Sequence, residues 1–174
     1  MNVTKMVLVL LCMVVMQQVV AGKPLRIITL SNALTETVDA LGMGASIVAV
    51  DVTSEYPAYV TKLPKVSKSR SLSVEGIMAY RPDMVLAPKG YVSKAIAYQL
   101  AAAGIQLVTV EQEYSVKGAL RFIGTVADVL HIPEKGKALA QQIEAAVNAE
   151  LKLVQAGTVV PKVLFIYARG AGTM

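Results

Sequence analysis

LRIITLSNALTETVDALGMGASIVAVD, residues 25–51, reads as strand, helix, strand. Leu25 to Leu30 is a continuous apolar, β-rich run. Thr35 to Leu41 places its apolar residues at helical spacing and is stopped by Gly42. Ile47 to Val50 is a second β-rich run, and Asp51 ends it. Apolar runs of this kind, separated by helices, argue for a parallel sheet covered on both faces.

The same alternation continues downstream. A long polar loop follows from Asp51 to Leu72. Ser73 can cap a short helix from Val74 to Tyr80, and Pro82 blocks its continuation. Met84 to Ala87 is a third strand. Ser93 to Ala103 is a helix closed by Gly104, at the position where helices favour a left-handed residue. Gln106 to Val110 is a fourth strand, and Ser115 opens a helix running to Leu130. The expected fold class is therefore α/β, a Rossmann-like lobe with a parallel sheet flanked by helices. In such sheets the ligand sits outside the carboxyl ends of the strands. Here those ends carry Ser31 and Asn32, Asp51 to Thr53, Pro88 to Tyr91, and Glu111 to Tyr114.

Beyond Pro133 the pattern changes. Glu134 to Ala156 reads as one long helix, with Leu139, Ile143, Ala146, Val147, Leu151 and Val154 on a 3.6 period. Its length would be roughly 35 Å at 1.5 Å per residue. Gly157 to Pro161 breaks it. Lys162 to Tyr167 (KVLFIY) then reads as a buried strand, and Arg169-Gly-Ala-Gly172 follows. After so long a connector, that strand is expected to start a second sheet.

The N-terminus reads as a secretion signal. It has Lys5, an apolar run from Met6 to Met16, and a small-residue site at Val19-Val20-Ala21, making Gly22 the new first residue. The run is about eleven residues, against the roughly twenty a bilayer span needs. Export to the periplasm is therefore expected. The expected organisation is a signal at 1–21, an α/β lobe at 22–132, a connecting helix at 133–157 and the start of a truncated second lobe at 158–174.

Composition excludes several chemistries. The only cysteine, Cys12, lies in the apolar run and leaves with the signal, because Leu11 before it does not suit lipid attachment. The mature chain then has no thiol for a disulfide, a metal or a nucleophile. A single histidine, His131, excludes a His-rich metal site and is read as a helix C-terminal dipole partner. The net charge of +5 falls to +4 when Lys5 is lost. The basic cluster Lys62, Lys65, Lys68 and Arg70 has no aromatic within it, so nucleic acid is not an expected partner. Gly42-Met-Gly44 lacks a third glycine and follows a helix, so it is no phosphate loop, and there is no Gly-x-Ser-x-Gly elbow. Glu36 and Asp51 have no accompanying nucleophile and read as capping and turn residues rather than an acid–base pair.

Arg26-Ile-Ile-Thr-Leu-Ser31, Thr35-Glu36, Leu41-Gly42 and Ile47-Val-Ala-Val-Asp51 together resemble the opening of the helical-backbone class of periplasmic substrate-binding proteins. These serve ABC importers of haem, iron-siderophores or cobalamin. Asp51-Val-Thr-Ser54, Tyr56-Pro57, Leu63-Pro-Lys-Val66, Leu72-Ser-Val-Glu-Gly76 and Arg81-Pro-Asp83 are most similar to the haem-binding branch, and Arg169-Gly-Ala-Gly172 to the turn opening the second lobe. The resemblance implies two α/β lobes joined by one long helix, no catalysis and no intrinsic cofactor. It implies haem as the transported ligand, and a permease with its ATPase as partners.

That branch usually supplies an iron-ligating tyrosine within Gly-Tyr-x-Arg. The matching residues here are Ser67-Lys68-Ser69-Arg70, with Lys68 at the tyrosine position. A protonated ammonium has no lone pair for a metal, and its ordinary pKa is about 10.4. Tyr91, next to Gly90 in the loop after the third strand, is the substitute metal ligand, with Tyr56, Tyr59 and Tyr114 behind it. Lys68, Arg70 and, more weakly, Lys89 could pair with carboxylates of an anionic ligand, or belong to a solvated loop. Glu75, one turn into a short helix, suits the helix dipole. The resemblance also implies that it docks onto permease arginines. A siderophore or corrinoid cargo is the first alternative to haem. An exported α/β enzyme with its active site on a missing part is the second, and a gene remnant the third.

Overall fold

The computed structural model describes residues 23–66, 72–157 and 162–166. They fall into two compact units that divide between Val110 and Glu111. The expected secretion signal, Lys68, Arg70 and Arg169-Gly-Ala-Gly172 lie outside the described residues.

The first unit is built on a four-stranded parallel sheet: β1 (Ile27–Thr29), β2 (Ile47–Val50), β3 (Met84–Pro88) and β4 (Gln106–Val110), in the order β2-β1-β3-β4. β1 is shorter than the apolar run that contains it. Before it, the Arg26 carbonyl accepts from the Asp83 and Met84 N–H groups, tying the chain to the approach to β3. Thr29 pairs with both Val50 and Leu86, and Pro88 pairs with Val110, so the carboxyl ends share one edge.

Successive strand residues point to opposite faces. Ile28, Leu30, Ala49, Val85 and Ala87 join one core with Val74 and Ile77 of α2 (Val74–Met78) and Leu100 of α3 (Lys94–Ala102). On the opposite face, Thr29 meets Thr35 of α1 (Asn32–Val38), where Leu34 and Val38 are also fully buried. Both faces of the central strands are therefore covered, as the uninterrupted apolar runs require.

The helix ends follow the cap residues. Ser73 and Ser93 accept from the Gly76 and Ile96 N–H groups, and Gly104 adopts φ +72° at the end of α3. α1 starts three residues earlier than its apolar spacing suggests, because Ser31 caps it by accepting from Leu34 N–H. α1 then runs into a π turn, Asp39–Met43, in which Gly42 takes φ +78°. The polar loop is not featureless. It holds a 3-10 turn at Ala58–Lys62 and a bridge in which Lys65 pairs parallel with Val50, extending the sheet beyond β2.

The second unit contains α4 (Val116–Val129) and α5 (Pro133–Ala156). Ser115 caps α4 through Gly118 N–H. Its C-terminus closes with Ile132 N–H on the Ala127 carbonyl and His131 N–H on the Asp128 carbonyl, which places His131 at φ +57°. This is the same two-bond stop that Gly104 makes for α3, occupied here by a residue with a Cβ.

Of the strand expected at Lys162–Tyr167, the described residues are 162–166. Residues 162–166 form no strand, and Val163, Leu164, Phe165 and Ile166 are 73–84% exposed. A strand exists only through hydrogen bonds to a neighbour. Among the described residues this segment is hydrogen-bonded into no sheet. Its β-rich composition alone does not fold it.

Candidate functional site

The common carboxyl edge brings Ser31, Asn32, Asp51, Ser54, Lys65, Lys89 and Tyr91 to one end of the first unit. Beneath it runs a buried polar chain. Asp51, Ser54, Thr35 and Thr29 are all buried. Thr29 Oγ1 lies 2.6 Å from Thr35 Oγ1, Thr35 Oγ1 lies 2.8 Å from Ser54 Oγ, and Ser54 donates to Asp51 Oδ1 at 2.5 Å. Each hydroxyl has one proton. Ser54 spends its own on Asp51, and the Thr35 proton is shared between Ser54 Oγ and the Ser31 carbonyl, 3.0 Å away, so Thr29 donates to Thr35. The Asp51 carboxylate thus orients the Ser54 hydroxyl, and the Ser31 carbonyl helps to orient that of Thr35.

Asp51 also closes its own turn. Its Oδ2 accepts from Thr53 N–H at 3.1 Å and from Thr53 Oγ1 at 2.5 Å. A side chain that bonds the backbone two residues on is the local device by which aspartate sets a turn. Asn32 extends the arrangement by accepting from Glu55 N–H and donating to Glu36 Oε1. Asp51 thus spends both oxygens on the turn expected of it, while Glu36 Oε1 accepts from the Asn32 side chain. Lys65, grouped by sequence with a basic cluster, places its ammonium on the Ser54 carbonyl. The loop leaving β2 is fixed by these contacts, and sequence spacing does not reveal them.

The sequence-selected residues occupy distinct places. Lys89 is exposed, and its N–H bonds the Val110 carbonyl, so the β3–β4 ladder continues one residue past β3. Tyr91 follows Gly90, which takes φ +79°, and is 38% exposed in the turn at the carboxyl edge. Glu75 is exposed in the first turn of α2, beside the Ser73 cap. Among the described residues no group of three His, Cys, Asp or Glu side chains is placed to hold a metal ion. Nor is any described helix long and apolar enough to cross a membrane.

Tyr59 is engaged elsewhere. Its hydroxyl donates to Asp39 Oδ1 at 2.7 Å, and Gly44 leaves room for the pair, since a Cβ there would lie 2.3 Å from that oxygen and 2.4 Å from the hydroxyl. Burial, the bond to Asp39 and the Asp39 charge together push the Tyr59 phenol up to about 12. A phenolate is what an iron ligand must become, so this environment opposes that role. The raised value also fixes a pH effect. The stabilisation is intact below the ordinary value of 10.0 and declines as pH rises towards about 12. Tyr59→Phe should remove one late-titrating phenol from the ultraviolet titration of the seven tyrosines. Loss of an early-titrating phenol instead would contradict the Tyr59–Asp39 pairing.

The family profile described as periplasmic binding protein matches residues 27–174. The chain belongs to the periplasmic binding protein family. Among curated relatives, the vitamin B12-binding protein of Yersinia pestis (strain Pestoides F) is 32% identical over 123 residues, covering 71% of this chain and 44% of the relative. Among solved structures, the apo form of the periplasmic heme-binding protein RhuT from Roseiflexus sp. RS-1 is 36% identical with a TM-score of 0.78, covering 87% of this chain and 58% of that one. The periplasmic heme-binding protein HutB of Vibrio cholerae is 29% identical with a TM-score of 0.69, covering 80% and 53%. This binding protein therefore spans about half the length of the relatives it matches. The parallel α/β architecture expected from residues 25–51 is that of its structural relatives.

Proposed function

We propose that this chain is the solute-capturing component of an ABC importer, that it acts in the periplasm after a signal at 1–21 is removed, and that its cargo is haem. The observation that carries the reading is the 36% identity and 0.78 TM-score to a heme-binding relative across 87% of the chain. A parallel sheet with polar turns at its carboxyl edge suits capture without chemistry. On this reading Lys68, Arg70 and Lys89 meet the propionate carboxylates, Tyr91 supplies the iron ligand, and Glu75 docks on the permease. The connector at 133–157 and residues 158–174 would then lead into a second lobe.

A corrinoid cargo is the second reading. It is favoured by the B12-binding relative and by Lys68 at the position where the haem branch usually has tyrosine. Hemin titration followed at the Soret band, beside equilibrium dialysis with cyanocobalamin, separates the two. Haem capture predicts a saturable Soret shift, altered in Tyr91→Phe, with affinity about tenfold weaker in Arg70→Ala, the equivalent of about 1.4 kcal/mol. Retention of cyanocobalamin with no Soret change would transfer the assignment to a corrinoid.

A further inference from the structure

We propose that Arg26 is the positioning residue for Glu75, clamping the C-terminal end of the helix whose first turn presents that carboxylate. This rests on the reading of Glu75 as a permease-docking acid. α2 spans only Val74–Met78, far below the roughly 12–15 residues at which a helix begins to hold itself together in water. Its direction must therefore be set from outside. Val74 and Ile77 anchor one side in the core, and Ser73 caps the start. Ile77 also anchors the last turn, but neither contact holds the backbone just beyond it. There Tyr80 N–H bonds the Ile77 carbonyl and Arg81 N–H bonds the Met78 carbonyl.

The carbonyls just past that turn have no helical partner to follow, and Arg26 takes both. Its Nη2 donates to the Tyr80 carbonyl at 2.7 Å and its Nε to the Arg81 carbonyl at 3.0 Å. A planar guanidinium can hold two acceptors at a fixed angle, and a cation at a helix C-terminus also opposes the dipole. Arg81 is held at φ +45°, a conformation that costs a non-glycine residue energy and persists only where the surroundings impose it. Arg26 is itself immobilised. Its N–H donates to Asp83 Oδ2 at 2.9 Å, and Lys23 bonds the other oxygen of the same carboxylate at 2.8 Å. Lys23 foremost, and then the Arg26 N–H, hold the Asp83 carboxyl below its usual range. Because Arg26 immediately precedes β1, the clamp ties the docking helix to the central strand of the sheet.

The experiment compares Glu75→Gln, Arg26→Gln and Arg26→Lys in the full chain. The measurements are affinity for the importer's permease–ATPase complex in nanodiscs, hemin affinity, and amide exchange at residues 79–81. The expected result is permease binding about tenfold weaker for Glu75→Gln and about three- to tenfold weaker for Arg26→Gln. Arg26→Lys should fall between, since lysine offers no fork. Hemin affinity should stay within about twofold in all three, and exchange at 79–81 should quicken in Arg26→Gln. Unchanged permease binding in Glu75→Gln would sink the docking reading itself. Weakened binding in Glu75→Gln but not in Arg26→Gln would overturn the clamp alone. A parallel loss of hemin and permease affinity in Arg26→Gln would also overturn it, by showing general damage.

Discussion

Asp51→Ala is expected to cost about 3 kcal/mol of folding stability, the largest loss foreseen for any single polar substitution in the first unit. The substitution strips an acceptor from three donors: Thr53 N–H, Thr53 Oγ1 and Ser54 Oγ. Ser54 is wholly buried and has no water to turn to. A buried donor left without a partner costs about 1–3 kcal/mol, more than the bond itself contributes. The effect should then fall along the hydroxyl chain. Ser54→Ala removes one link and leaves an Asp51 lone pair unfilled, for about 1–2 kcal/mol. Thr29→Val removes only the terminal donor while keeping the side-chain shape, for about 1 kcal/mol or less. Urea denaturation of the three variants checks the order. Thr29→Val costing as much as Asp51→Ala would show that Asp51 is not the main anchor of these bonds. The functional consequence follows from place: these bonds fix the loop that leaves β2 at the edge where ligand is proposed to bind.

Strand positions and helix stops were legible because each depends on residues close in sequence. Gln106–Val110 and Ile47–Val50 are continuous β-rich runs, and Ser73, Ser93 and Ser115 act within three residues of themselves. Ser31 carries the same cap signal, but it also stands at a strand end, and reading it as part of the ligand edge hid its second role. The hydroxyl chain was illegible for a different reason. Thr29, Thr35 and Ser54 are ordinary polar residues with no spacing signature, and only the β1–α1–β2 crossover brings them together. Lys65 shows the converse. Its charge groups it with a basic cluster, but the bridge to Val50 carries its side chain to the Ser54 carbonyl.

Gly136→Leu is expected to destabilise the α4–α5 pair by about 2–3 kcal/mol, the upper part of the range for overfilling a packed contact. Glycine in a helix interior is itself unfavourable by about 1 kcal/mol relative to alanine, so its presence in the first turns of α5 needs a compensating gain. The gain is close approach. A Cβ at Gly136 would lie 2.3 Å from the Ala127 Cβ of α4, a contact between rigid groups that cannot swing aside. Gly136 is buried where its neighbours Lys135 and Lys137 are exposed, and Leu139, Ile143 and Val147 continue the same stripe half-buried. Two small residues thus let the helices meet at the start of α5, and larger side chains hold the seam beyond it. Gly136→Ala tests the balance of the two terms. Helix propensity returns about 1 kcal/mol while the added methyl costs about 1–3 kcal/mol, so a small net loss is expected. Leucine adds three further carbons against the same wall and recovers no more propensity than alanine. Amide exchange of α4 and α5, read residue by residue, isolates this unit from the sheet. Slower exchange in Gly136→Leu would mean that propensity alone governs the site and that the helices do not close upon each other at Ala127.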